Sequence, residues 1–376
     1  MIHRILQNKI TKNLTLKKAI VVLGARQVGK TTLLKQITHS LDEVLELNAD
    51  EPEVRTLLTN ANTRQLEKII GNAKTIIIDE AQRIENIGLT LKIITDQFSQ
   101  IQLFVSGSSS LDISNQINEP LTGRKLEYQL FPISFQEMVD YHGLWEEKKI
   151  LETRLVYGNY PEIVMQKGNE ITLLKNLSGS YLYKDILTFG NIKKPIVLDK
   201  LLRALALQIG SEISYHELSQ TVGADKETVE KYIDLLEKAF IIFKLNALNR
   251  NVRNEIKKGK KVYFYDNGIR NAIIGNFQSF DLRVDKGALW ENYCISERIK
   301  KLSYSGFYGN YYFWRTTQQQ EIDFIEEIDG KFNAYEFKLN PKKKPFFSIT
   351  FLNNYPISET KIISPENIEE FLSNYQ

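Results

Sequence analysis

A single cysteine, Cys294, in a chain of 376 residues leaves no partner for an internal disulfide and no basis for a multi-cysteine metal cluster. It lies in a helix-like run and reads as a core thiol. Four scattered histidines offer no ligand spacing of the H-E-x-x-H kind. No apolar run approaches bilayer length, and the opening Met1-Ile2-His3-Arg4-Ile5-Leu6-Gln7 has no secretory apolar region, so a cytoplasmic protein with no membrane partner is expected. A net charge of +3 is too small to argue for nucleic acid by itself, and local patches must carry any such case. What is present is an ordinary balance, 25% charged and 42% apolar, on a chain long enough for two or three cores.

The most informative stretch is Gly24-Ala25-Arg26-Gln27-Val28-Gly29-Lys30-Thr31, followed by Thr32. It fits G-x-x-x-x-G-K-[ST], entered from a strand-type run (Ala19 to Leu23) and left through a helix-type run (Thr32 to Thr38). The glycines let backbone N–H groups turn toward a polyphosphate, and the helix start adds partial positive charge. Lys30 is expected on the β- and γ-phosphates of ATP, and the Thr31 hydroxyl in a Mg²⁺ shell. Thr75-Ile76-Ile77-Ile78-Asp79-Glu80 then reads as a buried parallel strand ending in two carboxylates. Asp79 is expected to hold Mg²⁺ through water, and Glu80 to polarise the water that attacks the γ-phosphate.

Residues 1–132 alternate strand and helix signals, which predicts an α/β parallel sheet. Strands are expected at Val44 to Asn48 and Ile101 to Gly107, and helices around Ala61 to Ile70 and Leu89 to Phe98. Ser106, Ser108 and Ser109 follow the later strand, where a hydroxyl can touch the γ-phosphate; a serine-rich turn is the plainer reading. Arg124 is either a loop charge or an arginine that acts in trans on the transferring phosphoryl group, which requires a ring or dimer. Ser134-Phe135-Gln136-Glu137 is a capping box, and a helical lid is expected over 133–194.

Residues 195–266 read as a winged helix, with helices from Pro195 to Gln208, from Ser214 to Gln220 and from Asp225 to Lys238, and a wing from Phe240. The third helix carries Lys226, Lys231 and Lys238 against Glu227, Glu230, Asp234 and Glu237, so packing is favoured over phosphate contact. Arg250, Arg253, Lys257, Lys258, Lys260 and Lys261 against Glu255 make the wing the candidate DNA contact, with a solvated hairpin tip as the alternative.

Downstream, Asp329-Gly330 between alternating apolar runs predicts a two-residue hairpin turn. That register sets Asp323 opposite Glu336, with side chains roughly 5 Å apart at Cβ, and puts Lys338 on the same face. Two carboxylates on a Mg²⁺ or Mn²⁺ ion beside a lysine suit phosphodiester cleavage, and Glu291 is a candidate further ligand. The same register puts Glu321 opposite Lys338, which allows an ordinary cross-strand ion pair.

With these residues in view, the chain resembles the bacterial and archaeal AAA-superfamily P-loop ATPases that carry a C-terminal module long labelled as of unknown function. Gly24 to Thr32, Ile78-Asp79-Glu80-Ala81-Gln82, Ser106-Gly107-Ser108-Ser109, Thr122-Gly123-Arg124, Phe131-Pro132-Ile133-Ser134-Phe135, Tyr157 to Glu162, Ala288 to Asn292 and Tyr312 to Arg315 carry the likeness. The resemblance implies a P-loop AAA-type parallel sheet (1–132) with a helical lid (133–194), a winged helix (195–266) and an α/β restriction-endonuclease-like domain (267–376). It implies Lys30 and Thr31 as ATP and Mg²⁺ contacts, Asp79 and Glu80 as the acidic pair, and Asp323, Glu336 and Lys338, with Glu291, as a nuclease-type set. Ile322 stands where such motifs often carry proline, and Arg154 is a candidate lid arginine. Two functions are expected: ATP hydrolysis coupled to a DNA-binding or DNA-cleaving domain, or an ATP-operated switch whose C-terminal domain binds a protein.

Overall fold

In a computed structural model, the described residues are 2–108, 117, 120–181, 192, 194–249, 259–316, 318–340 and 347–373. They fall into two compact units. One comprises residues 1–133, 180–192 and 238–240, and the other 134–179, 193–237 and 241–376.

The first unit begins with α1 (Ile5–Asn13), β1 (Ala19–Leu23) and α2 (Lys30–Thr38), which starts two residues before the helix signal. Next come β2 (Val44–Asn48), α3 (Pro52–Leu58) and α4 (Thr63–Ile70). The sequence reading missed α3, although Pro52 at its first turn marks a helix start. Asn62 caps α4 reciprocally with Gln65, which moves its start past the expected Ala61. Then follow β3 (Thr75–Asp79), α5 (Ile87–Gln97), β4 (Gln102–Gly107) and β5 (Lys125–Gln129).

All five strands pair in parallel, in the order β2-β3-β4-β1-β5. The inner strands are continuous apolar runs because helices cover both faces. On one face Val21, Ile78 and Val105 pack with Leu66, Leu91 and Ile94. Since all strands run the same way, the loop after β1, Asp79 and Ser106 arrive at one edge.

In the second unit Ser134 accepts from the Glu137 N–H and Glu137 accepts from the Ser134 N–H, so the expected capping box starts α6 (Phe135–His142). Further on, α7 (Pro195–Leu207), α8 (Tyr215–Val222) and α9 (Lys226–Lys238) precede an antiparallel hairpin of β6 (Ile242–Asn246) and β7 (Lys260–Phe264). Val229, Ile233 and Leu236 form the buried face of α9. Its acidic residues Asp234 and Glu237 bond Lys244 of β6, each at 2.7 Å, which is the packing use its charges suggested. Arg250, Arg253, Glu255, Lys257 and Lys258 lie outside the described residues, as does Ser109 of the serine run.

The long helix α10 (Lys286–Ser305) lies against a four-stranded sheet of β8 (Asn310–Arg315), β9 (Glu321–Ile328), β10 (Lys331–Phe337) and β11 (Ile357–Ile363). The order is β11-β10-β9-β8, antiparallel except for the β10–β11 pair. Asp329 (φ 51°) and Gly330 (φ 74°) make the predicted turn, both with the positive φ that a tight hairpin needs. Ile328 therefore faces Lys331, and pairing runs to Phe324 opposite Tyr335. Trp290, Tyr293 and Cys294 of α10 share one core with Phe324, Tyr335, Phe243, Phe135 and Leu155. The cysteine is the buried thiol expected of it.

Candidate functional site

In the first unit, Leu23 ends β1 and the chain curls through Gly24 to Gly29 before α2 begins at Lys30. Gly24 is required by close approach, since a Cβ there would stand 2.1 Å from the Leu130 carbonyl oxygen. Gln27 (φ 62°) and Gly29 (φ 96°) supply the left-handed turns that close the loop. Lys30 is buried, and its Nζ donates to the carbonyls of Gly24 at 3.1 Å and Ala25 at 3.0 Å. It thus lies over its own loop, where phosphate oxygens are the natural replacement for those carbonyls.

The acidic partners meet the loop from the neighbouring strands. Thr31 Oγ1 donates to Asp79 Oδ2 at 2.6 Å, and the Ser106 hydroxyl donates to the other Asp79 oxygen. The Glu80 N–H lies 3.1 Å from Asp79 Oδ1 and 3.3 Å from Ser106 Oγ. Glu80 holds a left-handed backbone (φ 52°), and its carboxylate accepts from the Gln82 amide, which also donates to Ser108 at 2.9 Å. A hydroxyl beside a carboxylate at this edge is a donor set that suits Mg²⁺. Ser106 touches Asp79 and Glu80, while Ala25, Arg26 and Val28 are brought in as parts of the loop and Thr32 as part of the first turn of α2.

Arg124 is not in this group. Its carbonyl accepts from the Ala19 N–H, at the start of β1, roughly 17 Å along that five-residue strand from the loop. Its side chain pairs with Asp96 at 2.5 Å. Arg154, in the second unit, is buried and forks onto Glu147 at 3.0 and 3.1 Å, so the lid arginine of the sequence reading is a structural ion pair.

The second unit assembles a carboxylate–lysine cluster. Asp323 Oδ2 accepts from the Phe337 N–H at 2.9 Å, and Lys338 Nζ lies 2.8 Å from Glu336 Oε2 and 3.7 Å from Asp323. The expected Asp323, Glu336 and Lys338 thus come together. The expected cross-strand pair of Glu321 with Lys338 is replaced: Glu321 bonds Lys261 at 2.5 Å. Lys261 also reaches Glu291 at 3.2 Å, and the Tyr263 hydroxyl donates to the same Glu291 oxygen at 2.6 Å.

Lys261 corrects the reading of the wing. It is 2% exposed and neutralises carboxylates, while Lys260 sits over the Tyr215 ring. Period two in Lys261-Val262-Tyr263 was the available signal that both side chains share a face.

Electrostatics here reflect desolvation. Burial pushes Glu336 up to about 7, with the Asp323 charge adding and Lys338 opposing. Burial likewise pushes Glu291 up to about 7 against the pull of Lys261. Asp323 is raised by the same cause, and Lys261 is held up at about 12 against burial by Glu291 and Glu321. Among the described residues no three or more His, Cys, Asp or Glu side chains are arranged to hold a metal ion. Asp323, Glu336 and Glu291 supply carboxylate oxygens of the kind that Mg²⁺ or Mn²⁺ takes, and in this arrangement Lys338 and Lys261 neutralise them.

Comparison with known proteins shows what the chain is similar to. Residues 16–139 match a family described as an AAA domain. The chain therefore carries an N-terminal AAA-superfamily P-loop ATPase domain built on a parallel sheet, while the residues from 134 to 179 that were expected as its lid belong to the second unit. Residues 148–279 and 286–370 match two domains of unknown function, DUF8612 and DUF4143. An uncharacterized protein of Haemophilus influenzae is 26% identical over 330 residues, spanning 81% of this chain and 78% of that one. One from Methanocaldococcus jannaschii is 27% identical over 353 residues, 86% of this chain and 75% of that one. The Walker-type ATPase of Pyrococcus abyssi is 14% identical, with a TM-score of 0.52 over 73% of this chain and 96% of that one, a likeness of fold alone. No helix among the described residues is long and apolar enough to cross a membrane.

Proposed function

We propose that the protein binds and hydrolyses ATP in a Mg²⁺-dependent reaction and that nucleotide state governs a DNA-binding second unit. The observation that carries the ATP reading is the meeting of Thr31 with Asp79 at 2.6 Å, across 48 residues of sequence, beside Lys30. Lys30 exchanges the carbonyls of Gly24 and Ala25 for the β- and γ-phosphates. Thr31 and Asp79 would hold Mg²⁺, which screens the charge on the phosphate oxygens. Glu80, oriented by Gln82, takes a proton from the attacking water. Ser106, on Asp79 and Glu80, is placed to follow the γ-phosphate. Arg124 acts in trans within a ring or dimer, a reading that fits its place away from its own loop. The test is ATP turnover in Lys30→Ala, expected to fall below about one hundredth of the parent; parental turnover would overturn it.

In the second unit we propose that 195–266 is a winged helix and 267–376 a restriction-endonuclease-like domain. Three helices before a hairpin, and a helix against a sheet carrying Asp323, Glu336 and Lys338, support this. DNA contact by the wing and cleavage at Asp323 are the first reading. A second has specific support: lysines already neutralise the carboxylates, as suits a silent module that binds a protein partner. Incubating supercoiled and branched DNA with the protein in Mg²⁺ or Mn²⁺, with and without ATP, separates them. Cutting that Asp323→Ala abolishes establishes the first, and a DNA-inert protein the second.

A further inference from the structure

Arg4 stands where a helix least favours it. It is the N-cap of α1, with extended backbone (φ −99°, ψ 131°), and its side chain caps no N–H. N-caps prefer Ser, Thr, Asp or Asn, and a cation there opposes the positive end of the helix dipole. The side chain is nonetheless only 6% exposed, and a buried guanidinium requires partners. Those partners are carbonyls: Nη1 donates to Val28 O at 2.8 Å, and Nη2 donates to Phe131 O at 2.7 Å.

The Val28 contact sets the loop's orientation. In a planar trans peptide the C=O and the following N–H point in opposite directions. Holding the Val28 oxygen against Arg4 therefore turns the Gly29 N–H away from Arg4. Gly29 takes φ 96°, and Arg4 Nη1 lies 3.7 Å from where its Cβ would be, so the guanidinium sits directly behind this peptide. The second contact anchors the fork. Phe131 follows Leu130, whose N–H donates to Leu23 O at 2.7 Å and whose carbonyl closes on Gly24.

We infer that Arg4 is a positioning residue of the nucleotide site, pinning the Val28–Gly29 peptide so that the Gly29 N–H is presented to a polyphosphate. The inference rests on the ATP-binding reading above. It also explains why an arginine occupies a poor N-cap: Nη1 holds the loop at Val28 while Nη2 anchors the fork at Phe131.

The test compares the parent with Arg4→Lys, which keeps the charge but loses the fork, and with Arg4→Gln, which is neutral. Titration with a fluorescent ATP analogue is expected to show affinity reduced roughly tenfold in Arg4→Lys, the scale of one charged hydrogen bond. Turnover at saturating ATP should stay within about twofold, because the lost interaction serves binding. Without nucleotide, amide exchange across 24–31 should quicken while β1 keeps its protection. A purely structural arginine would lower the melting temperature and reduce kcat without this split. Unchanged affinity together with unchanged loop exchange in a folded variant overturns the inference, as does failure of both variants to fold. If the parent binds no ATP analogue, the nucleotide reading falls by itself. Loop exchange in the variants then still decides whether Arg4 holds the loop.

Discussion

The two candidate sites keep their order in different ways. In the nucleotide site the backbone is bent: Gln27 and Glu80 hold left-handed conformations that cost roughly 1–3 kcal/mol each in a non-glycine residue. Lys30 rests on neutral carbonyls that an anion can replace. In the second site the tension is electrostatic. Glu291, Glu321, Asp323 and Glu336 converge on Lys261 and Lys338 in largely buried surroundings. One site is shaped to receive charge, and the other already contains its counter-charges. Neutral carbonyls can give way to an anion, whereas buried charges must carry their counter-charges with them.

The largest effect separating the sites should come from Arg124→Ala. If it completes the nucleotide site of a second copy, turnover falls roughly 10³-fold while ATP binding is kept. Parental turnover would return Arg124 to its pairing with Asp96 alone. Next, Glu80→Gln should lower turnover roughly 10²-fold or more and leave nucleotide affinity intact, as steady-state kinetics beside equilibrium titration would show. Neither change should alter the stability of the second unit.

Lys261→Met reverses that pattern. It leaves Glu291 and Glu321 without their buried cation and should cost about 3–5 kcal/mol in urea unfolding, with ATP binding unaffected. A loss below about 1 kcal/mol would mean that water reaches the cluster and would weaken the contrast between the sites.

The smallest effect is on pH. Glu291 and Glu336 titrate near 7 in the folded chain against 4.5 normally, so the folded state binds more protons between those values. Their contribution is fully present below about 4.5 and is lost as pH rises through about 7. The urea midpoint should fall across that window, and Glu291→Gln should flatten the slope. A slope unchanged in Glu291→Gln would show that the carboxylate is ionised throughout.

Much of the nucleotide site was legible because its parts are contiguous or close a strand. Gly24 to Thr32 lies in one run, and Asp79 ends a continuous apolar segment. The hairpin was equally legible, since Asp329-Gly330 sets a register that counting extends back toward Asp323. Lys261 was not. Its charge and the basic residues before it resemble a solvated tip, and only the pairing of β6 with β7 carries it inside. Arg4 was hidden for a similar reason, since no local pattern links it to a carbonyl 24 residues on. The charges of α9 pointed to packing, but not to Lys244 as the residue that answers them.

By itself the sequence determined the phosphate loop, the acidic strand end, the parallel sheet and the Asp-Gly turn. Each follows from interactions local along the chain: glycine's freedom, strand period and turn geometry. Only the tertiary structure decided which cation meets which carboxylate and which side chain braces the loop. Those choices depend on burial and distance between segments remote in sequence, where a charge must find its partner before it can leave water.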